Sequence, residues 1–437
     1  MRTKALWLIV PVFSFLAALS TAFAGDPSES DIAAVVSGNH EFALDLYAKL
    51  AGQEPGNLFF SPYSVSTALA MTYAGARGNT EAQMASALHF PLPQDDLHAA
   101  FGSVIADLNG SQREGYQLST ANRLWGQQGY GFLPEFLDVT RLNYGAELAQ
   151  VDFIGATEPT RQTINHWVEE QTQQKIKNLL PPGAVTPDTR LVLTNAIYFK
   201  SDWKYQFDPD LTKQAPFWTT PYEQVNVSMM NQLSELKHAA FPTFQMLELP
   251  YTSEDMSMIA LLPNERDGLD ELEASLTAET LGQSADQMVS KEVSVSIPKF
   301  GMTQTFGLSS VLSSLGMSDA FDPMAADFSG MNGEGNLYIS GVLHKAFINL
   351  DEEGTEAAAA TGVVVGATSI SPPIPRFNAD HPFVFVIRDN LTESILFMGR
   401  VADLEAGAVG IVPEPATLFV MLAAGLPALL KRQRNRF

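Results

Sequence analysis

The chain has 437 residues, 46% of them hydrophobic, with a formal net charge of −23 and no cysteine. The acidic balance repels nucleic acid and anionic polysaccharide, and the missing thiols exclude disulfides, zinc-thiolate sites and cysteine nucleophiles together. The length exceeds one ordinary domain, yet there is neither an internal repeat nor a polar linker, so one large domain with terminal appendages fits best.

Arg2 and Lys4 precede the apolar run Ala5–Leu19, and Ala22-Phe23-Ala24 is a small-x-small cleavage site. This pattern predicts a secretory signal peptide over 1–24, with the fold beginning near Gly25. A membrane anchor is the alternative, but the run falls short of the about 20 residues a span needs. Glu41–Leu50 places Phe42, Leu46 and Leu50 at four-residue spacing, the mark of an amphipathic helix. In "SPYSVSTALAMTYAGA", Ser61 is a good N-cap and Pro62 suits the first helical position. "RLVLTNAIYF", "EVSVSIPKF", "HPFVFVIR" and "LFMGRV" read as strands. The class is mixed α+β with a substantial sheet.

Glu352 to Pro375 reads "EEGTEAAAATGVVVGATSISPPIP", almost all small side chains. Propensity alone suggests a short helix at Glu356–Ala360 running into a strand at Val363–Val365. Parity suggests otherwise: in an extended chain Thr355, Ala357, Ala359, Thr361, Val363, Val365 and Ala367 share one face, and Glu356 lies on the other. No proline interrupts Glu352–Ser371, and Pro372, Pro373 and Pro375 then forbid central pairing. Such a segment is a strand with a defined end. Further on, Val412-Pro413-Glu414-Pro415 leads into the apolar run Ala416–Leu430 and the basic "KRQRNRF". This arrangement resembles the PEP-CTERM sorting signal of Gram-negative bacteria, with an ordinary tail anchor as the alternative. Without the leader and the tail, 20 Lys and Arg face 48 Asp and Glu, a net of −28.

Catalytic patterns are missing. The seven histidines are scattered without an H-E-x-x-H pair, and no G-x-S-x-G elbow or phosphate-binding glycine loop occurs. Ser201 to Lys204 and Ser234 to Lys237 match S-x-x-K, but the partner K-T-G is absent.

Eight blocks carry a resemblance: "NLFFSPYSVSTALAMTYAGARGNTEAQM", "INHWVEEQTQQKI", "LVLTNAIYFKSDW", "LELPY", "IPKF", "LGMSDAFDPMAADFSGM", "HKAFINLDEEGTEAAAATG" and "FNADHPFVFVIRDNLTESILFMGRV". Their order and spacing over Phe42–Val401 resemble the serpin family of serine protease inhibitors. The resemblance implies three β-sheets, about nine helices and an exposed reactive-centre loop at about 352–376, within a domain spanning 25–408 and followed by a sorting tail at 409–437. A target serine protease would form an acyl-enzyme on the loop. The loop would then insert into the main sheet and stall the protease in a covalent complex. The family pattern makes Glu352, Glu353, Gly354, Thr355, Glu356, Ala357, Ala358, Ala359 and Ala360 the hinge. Trp203, Lys299 and Glu352 match the breach where the loop first enters, with Lys299–Glu352 expected as a partly exposed ion pair worth at most about 1 kcal/mol. Ser61, Ser64, Asn195 and His344 match the shutter beneath the sheet, and Asn165 and Trp167 a helix packed across it.

Counting seventeen residues from Glu352 puts the reactive bond at Thr368–Ser369; counting back from "HPF" gives Ser371–Pro372. The first is preferred, because insertion length is mechanically constrained and proline after the bond blocks most serine proteases. Val365 to Thr368 suits elastase-like or subtilisin-like enzymes. Inserting about twelve residues, at roughly 0.5–1.5 kcal/mol net per hydrogen bond, yields on the order of 10 kcal/mol, so the native state is expected to be kinetically trapped. The resemblance further implies a monomer without cofactor or metal, exported from a Gram-negative cell, with an exosortase acting on a tail that holds it transiently at the membrane. A carrier or protease-substrate role on the same fold is the alternative, and charge or proline at the positions of Thr355 and Ala357 to Ala360 would mark it. A hydrolase on an unseen triad is a third reading with nothing pointing to it. Activation by glycosaminoglycan is not expected, since Pro91–Gly115 contains only Arg113 as a basic residue besides histidine.

Overall fold

The computed structural model describes residues 27–110, 113–355 and 373–404. The expected leader 1–24 and tail 409–437, the hinge residues Glu356 to Ala360 and both candidate reactive bonds lie outside these residues, as do the helix and strand that propensity suggested there.

The helix expected at Glu41–Leu50 runs from Glu29 to Ala51. It starts earlier because Ser28 and Asp31 form a reciprocal capping box. Phe42, Leu46 and Leu50 face the core as the spacing requires. The next helix, Pro62–Tyr73, is capped by the Ser61 hydroxyl and has every residue buried, so it is a central pillar rather than an amphipathic cover.

Two sheets lie against these helices. The larger has nine strands, running Leu58–Phe60, Ile395–Val401, Phe383–Asp389, Met256–Pro263, Phe244–Pro250, Gln224–Ala240, Val289–Pro298 and Arg376–Asn378, with Lys213–Trp218 also on Gln224–Ala240. The 17-residue strand Gln224–Ala240 explains why two expected sheets form one. Its first part pairs with Lys213–Trp218 and its last part with Phe244–Pro250, so one backbone serves both halves.

The second sheet carries the site. Its order is Phe300–Gly307, Gly341–Leu350, Gly354–Thr355, Leu191–Asp202, Arg123–Gln127 and Ala149–Val151, with Tyr116–Thr120 also on Leu191–Asp202. The strands Gly341–Leu350 and Leu191–Asp202 are parallel and pair directly from Gly341↔Val192 to Phe347↔Tyr198. Above that stretch they part, and Gly354–Thr355 lies antiparallel to both. The helix Thr157–Gln171 covers the seam: its Ile164 and Val168 share one apolar cluster with Ala196, Tyr198, Leu343 and Phe347. Asn165 fastens this helix by exchanging two hydrogen bonds with the Leu180 backbone, at 2.9 and 2.7 Å.

Close packing in the larger sheet sets a sharp test. Gly399 pairs with Phe59 and Phe385, and a methyl there would come within 2.6 Å of the Leu58 carbonyl oxygen and of the Phe385 ring. Gly399→Ala is expected to lower the unfolding free energy by about 1–3 kcal/mol, read from the shift in denaturant midpoint. An unchanged midpoint would mean that the two sides of this strand give way.

Candidate functional site

The top of the seam is built from the turn that follows Gly341–Leu350. Asp351 begins it: its carboxylate accepts the N–H groups of Glu353 and Gly354, and its carbonyl accepts the Trp203 indole N–H at 3.0 Å. The Glu352 and Glu353 carbonyls accept the N–H groups of Phe207 and Trp203. The chain thereby reverses and enters the gap. Only glycine fits at Gly354, since a Cβ would stand 2.2 Å from the Ser201 carbonyl oxygen. Thr355 follows, 1% exposed, sharing a 2.7 Å hydrogen bond with the Tyr251 hydroxyl. Tyr251 stacks on Trp203 with ring centroids 4.6 Å apart.

The hinge was expected to belong wholly to an exposed loop, and this expectation needs correction. Its first residues are tied down: Glu352 and Thr355 are buried, and Gly354 and Thr355 already form a short strand. The breach pair is also less exposed than expected. Lys299 Nζ donates to Glu352 at 2.5 Å, and the side-chain exposures are 24% and 10%. A second bond comes from the Thr212 hydroxyl at 2.8 Å. Burial alone would raise the Glu352 pKa, but the Lys299 and Thr212 hydrogen bonds outweigh it and hold the carboxyl below its usual value. A hydrogen bond to a charge in such a place is worth about 1.5–3 kcal/mol, more than the exposed-pair ceiling of about 1 kcal/mol. Glu352 is ionised and held, with desolvation largely offset.

Deeper in the seam Ser61, Ser64, Asn195 and His344 come together, all fully buried. His344 and Asn195 are register partners on the two parallel strands. The His344 ring bonds Asn195 Oδ1 through Nδ1, and its Nε2 accepts the Ser61 N–H at 3.0 Å. That pattern assigns the proton to Nδ1. Ser61 Oγ donates to the Leu396 carbonyl at 2.6 Å and accepts the Ser64 N–H. Asn195 Nδ2 donates to Ser64 Oγ and to Asn122 Oδ1, both at 2.6 Å. One network therefore joins the helix Pro62–Tyr73 to both sides of the seam, and the sheet cannot part without breaking the His344–Asn195 bond.

Three members were not foreseen. Asn122 accepts from both Ser64 and Asn195, yet nothing in "STANRLW" marks it. Thr212 is equally unmarked. Tyr251 closes the block "LELPY", where its position was a signal without a role. The S-x-x-K matches have ordinary structural partners: Ser201 Oγ donates to the Gly115 carbonyl at 2.7 Å, Lys204 pairs with Glu254 at 2.8 Å, and Ser234 Oγ donates to Gln232.

Burial pulls the His344 imidazole down to about 3 from 6.5, so the ring is neutral. The unfolded chain takes up this proton near 6.5 and the folded chain resists it, so the associated stability is full above pH 6.5 and is lost as pH falls toward 3. His98, held at about 4 by burial, acts in the same direction. His344→Gln is therefore expected to flatten the pH dependence of unfolding free energy between pH 6.5 and 4, by as much as one proton or about 1.4 kcal/mol per pH unit. Equal slopes in denaturant titrations of variant and wild type would mean that His344 carries no such strain. At the hinge, Tyr251→Phe is expected to leave Thr355 Oγ1 without its partner, at a cost of about 1–3 kcal/mol. Faster amide exchange at Thr355 would register it; unchanged protection would show that the backbone alone seats the hinge.

Comparison with known proteins supplies the family. The family model described as Serpin (serine protease inhibitor) matches residues 37–404. The chain is 46% identical over 377 residues to the leukocyte elastase inhibitor of Sus scrofa, covering 84% of this chain and 98% of that protein. Among solved structures, Serpin48 of the insect Tenebrio molitor superposes with a TM-score of 0.77 at 33% identity, covering 87% of this chain and all of that one. Human thyroxine-binding globulin complexed with its ligand superposes with a TM-score of 0.77 at 30% identity, over 85% and 99% of the two chains. The α+β architecture is that of these proteins. The chain belongs to the serpin family.

Proposed function

We propose that this serpin is an exported suicide inhibitor of elastase-like or subtilisin-like serine proteases, with Thr368–Ser369 as its reactive bond. The observation that carries the proposal is Thr355, seated between the two parallel strands with its hydroxyl on Tyr251. In sequence the face it begins continues without charge through Ala357, Ala359, Thr361, Val363, Val365 and Ala367. The target's serine hydroxyl attacks the Thr368 carbonyl carbon, the bond to the Ser369 nitrogen breaks, and that nitrogen leaves as an amine. The ester-linked protease then remains on Thr368 while Glu356 onward follows Thr355 into the seam. Parting of the seam breaks the His344–Asn195 bond, and Ser61, Ser64, His344 and Asn195 serve as the shutter. Trp203, Lys299 and Glu352 serve as the breach that keeps the hinge seated at its starting point.

The leukocyte elastase inhibitors among its relatives support an elastase-like target, as do the small residues before Thr368. The leader 1–24 and the Pro-Glu-Pro tail at 409–437 support export from a Gram-negative cell and processing by an exosortase after transient membrane attachment. The domain, 25–408, would act as a monomer without cofactor or metal. A carrier role, as in the thyroxine-binding neighbour, is the second reading; the absence of charge and proline at Thr355 and Ala357 to Ala360 favours inhibition over it.

Purified protein mixed with pancreatic elastase, subtilisin and trypsin tests the proposal on denaturing gels with intact mass of the released peptide. An adduct near the summed mass and a peptide beginning at Ser369 are expected. Cleavage without adduct for every protease would favour the carrier or substrate reading. Thr355→Arg is expected to abolish the adduct and leave a substrate, because a guanidinium cannot be buried unpaired beneath the sheet without large cost. An unchanged adduct yield in that variant would sink the insertion mechanism.

A further inference from the structure

Two loops meet at the foot of the second sheet, at the end away from the hinge. Gly129 to Gly131 follows the strand Arg123–Gln127, and Asn332 to Asn336 leads through Leu337 toward Gly341–Leu350. The Leu133 N–H donates to the Met331 carbonyl at 2.7 Å and fastens one loop to the other. Between them lies a cleft of about 400 Å³ lined by Gly129, Tyr130, Gly131, Asn332, Glu334 and Asn336, within the roughly 300–1,000 Å³ range of small-molecule sites. A Cβ at Gly129 or Gly131 would meet nothing within 4 Å, so that side of the cleft is open.

The two loops bring different chemistry. Tyr130 is the one aromatic group of the lining; its ring packs on the hydrophobic core and still reaches the cleft. The other loop supplies polar groups that hold one another in place. Asn332 Nδ2 donates to Asn336 Oδ1 at 2.8 Å, and Asn336 Nδ2 donates to Glu334 Oε2 at 2.7 Å. That chain of bonds leaves Glu334 Oε1 and one N–H of each amide for an occupant. A carboxylate beside amide N–H groups matches two neighbouring hydroxyls, each able to donate one hydrogen and accept another. A tyrosine ring matches a flat face of C–H groups. Both features occur together on a pyranose. No described lysine, arginine or histidine lines the cleft, and the chain carries a formal net charge of −23, so uronic or sulfated sugars are repelled.

We propose that this cleft binds one neutral pyranose unit of a polysaccharide, with the sugar's C–H face on Tyr130 and two adjacent hydroxyls on Glu334 and the asparagine amides. Its position gives the binding a use. The foot of the seam, where Gly341 pairs with Val192, and the hinge, where Thr355 pairs with Ser201, are nine strand residues apart, or about 30 Å at about 3.3 Å per residue. A protein moored by this cleft keeps its hinge turned away from the polysaccharide and open to proteases in solution. The site stands on the cleft alone and does not depend on the inhibitory reading.

The probes are methyl β-D-glucopyranoside, methyl α-D-mannopyranoside and methyl β-D-galactopyranoside, each titrated into the intact protein by saturation-transfer NMR, with D-glucuronate as the charged control. Saturable transfer to at least one methyl glycoside is expected, strongest at its ring C–H protons, with none to D-glucuronate. Tyr130→Ala is expected to abolish it. Glu334→Gln keeps the shape of an exposed side chain and is expected to weaken binding about tenfold, so the test survives should the tyrosine variant melt early. No saturable transfer to any of the three, transfer to D-glucuronate as strong as to a glycoside, or affinity indifferent to both substitutions would overturn the site. Calorimetric saturation by calcium chloride with no transfer to any sugar would assign the same oxygens to a cation and overturn it as well. The mooring is read by co-sedimentation with the insoluble polysaccharide of the sugar that binds, whether cellulose, mannan or agarose. Pancreatic elastase is then expected to cleave the loop of the bound protein at the rate seen in solution. Cleavage slowed threefold or more on the polysaccharide would overturn the mooring, because the cleft would then face the same side as the loop.

Discussion

Two parallel strands lying side by side, Leu191–Asp202 and Gly341–Leu350, are the constraint on which the rest of the structure depends. Parallel pairing is slightly less stable per residue than antiparallel pairing. A strand running the other way between them would pair antiparallel on both flanks, as Gly354–Thr355 already does at the top. On the proposed mechanism, the closed seam is therefore a state with a better one available. What separates the two is a barrier made of contacts that must break before any new ones form: seven backbone register pairs, the His344–Asn195 bond and the packing of Ile164 and Val168 across both strands.

The breach and the shutter are two different physical solutions to holding that seam. At the breach a carboxylate is placed where burial would disfavour its charge, and Lys299 with Thr212 restores the balance. The turn beneath it is made of backbone carbonyls donated to by Trp203 and Phe207, which positions Thr355 without side-chain bulk in the gap. At the shutter no charge is present. A neutral histidine, two buried serines, Asn195 and the half-buried Asn122 are linked by hydrogen bonds, and such a network is costly to open because broken bonds leave buried polar groups unmet. On the proposed mechanism, one arrangement sets where the chain enters, and the other sets how hard it is for the sheet to yield.

The four shutter residues and the three breach residues were legible only through the ordered family blocks. Nothing local about His344, a lone histidine in a strand, distinguishes a seam lock from a satisfied core histidine. Asn122 and Thr212 stayed hidden because each acts through contacts far away in the chain, Asn122 with Asn195 across 73 positions and Thr212 with Glu352 across 140. The merging of two expected sheets was invisible for a related reason. The pattern of Gln224–Ala240 marks a strand, but which neighbours share its length depends on how far it continues past each of them.

By itself the amino-acid sequence determined the helix cap at Ser61, the apolar faces, the uncharged alternating face that starts at Thr355 and, through eight ordered blocks, the family. These are short-range or compositional properties, set by backbone sterics, side-chain polarity and spacing. Only the tertiary structure decided that the hinge begins inside the sheet, that Glu352 is buried with two donors, and that Tyr251 and Asn122 complete the breach and the shutter. Each of those depends on which distant segments meet in the folded chain, and burial, pairing and the balance between desolvation and hydrogen bonding exist only once they have met.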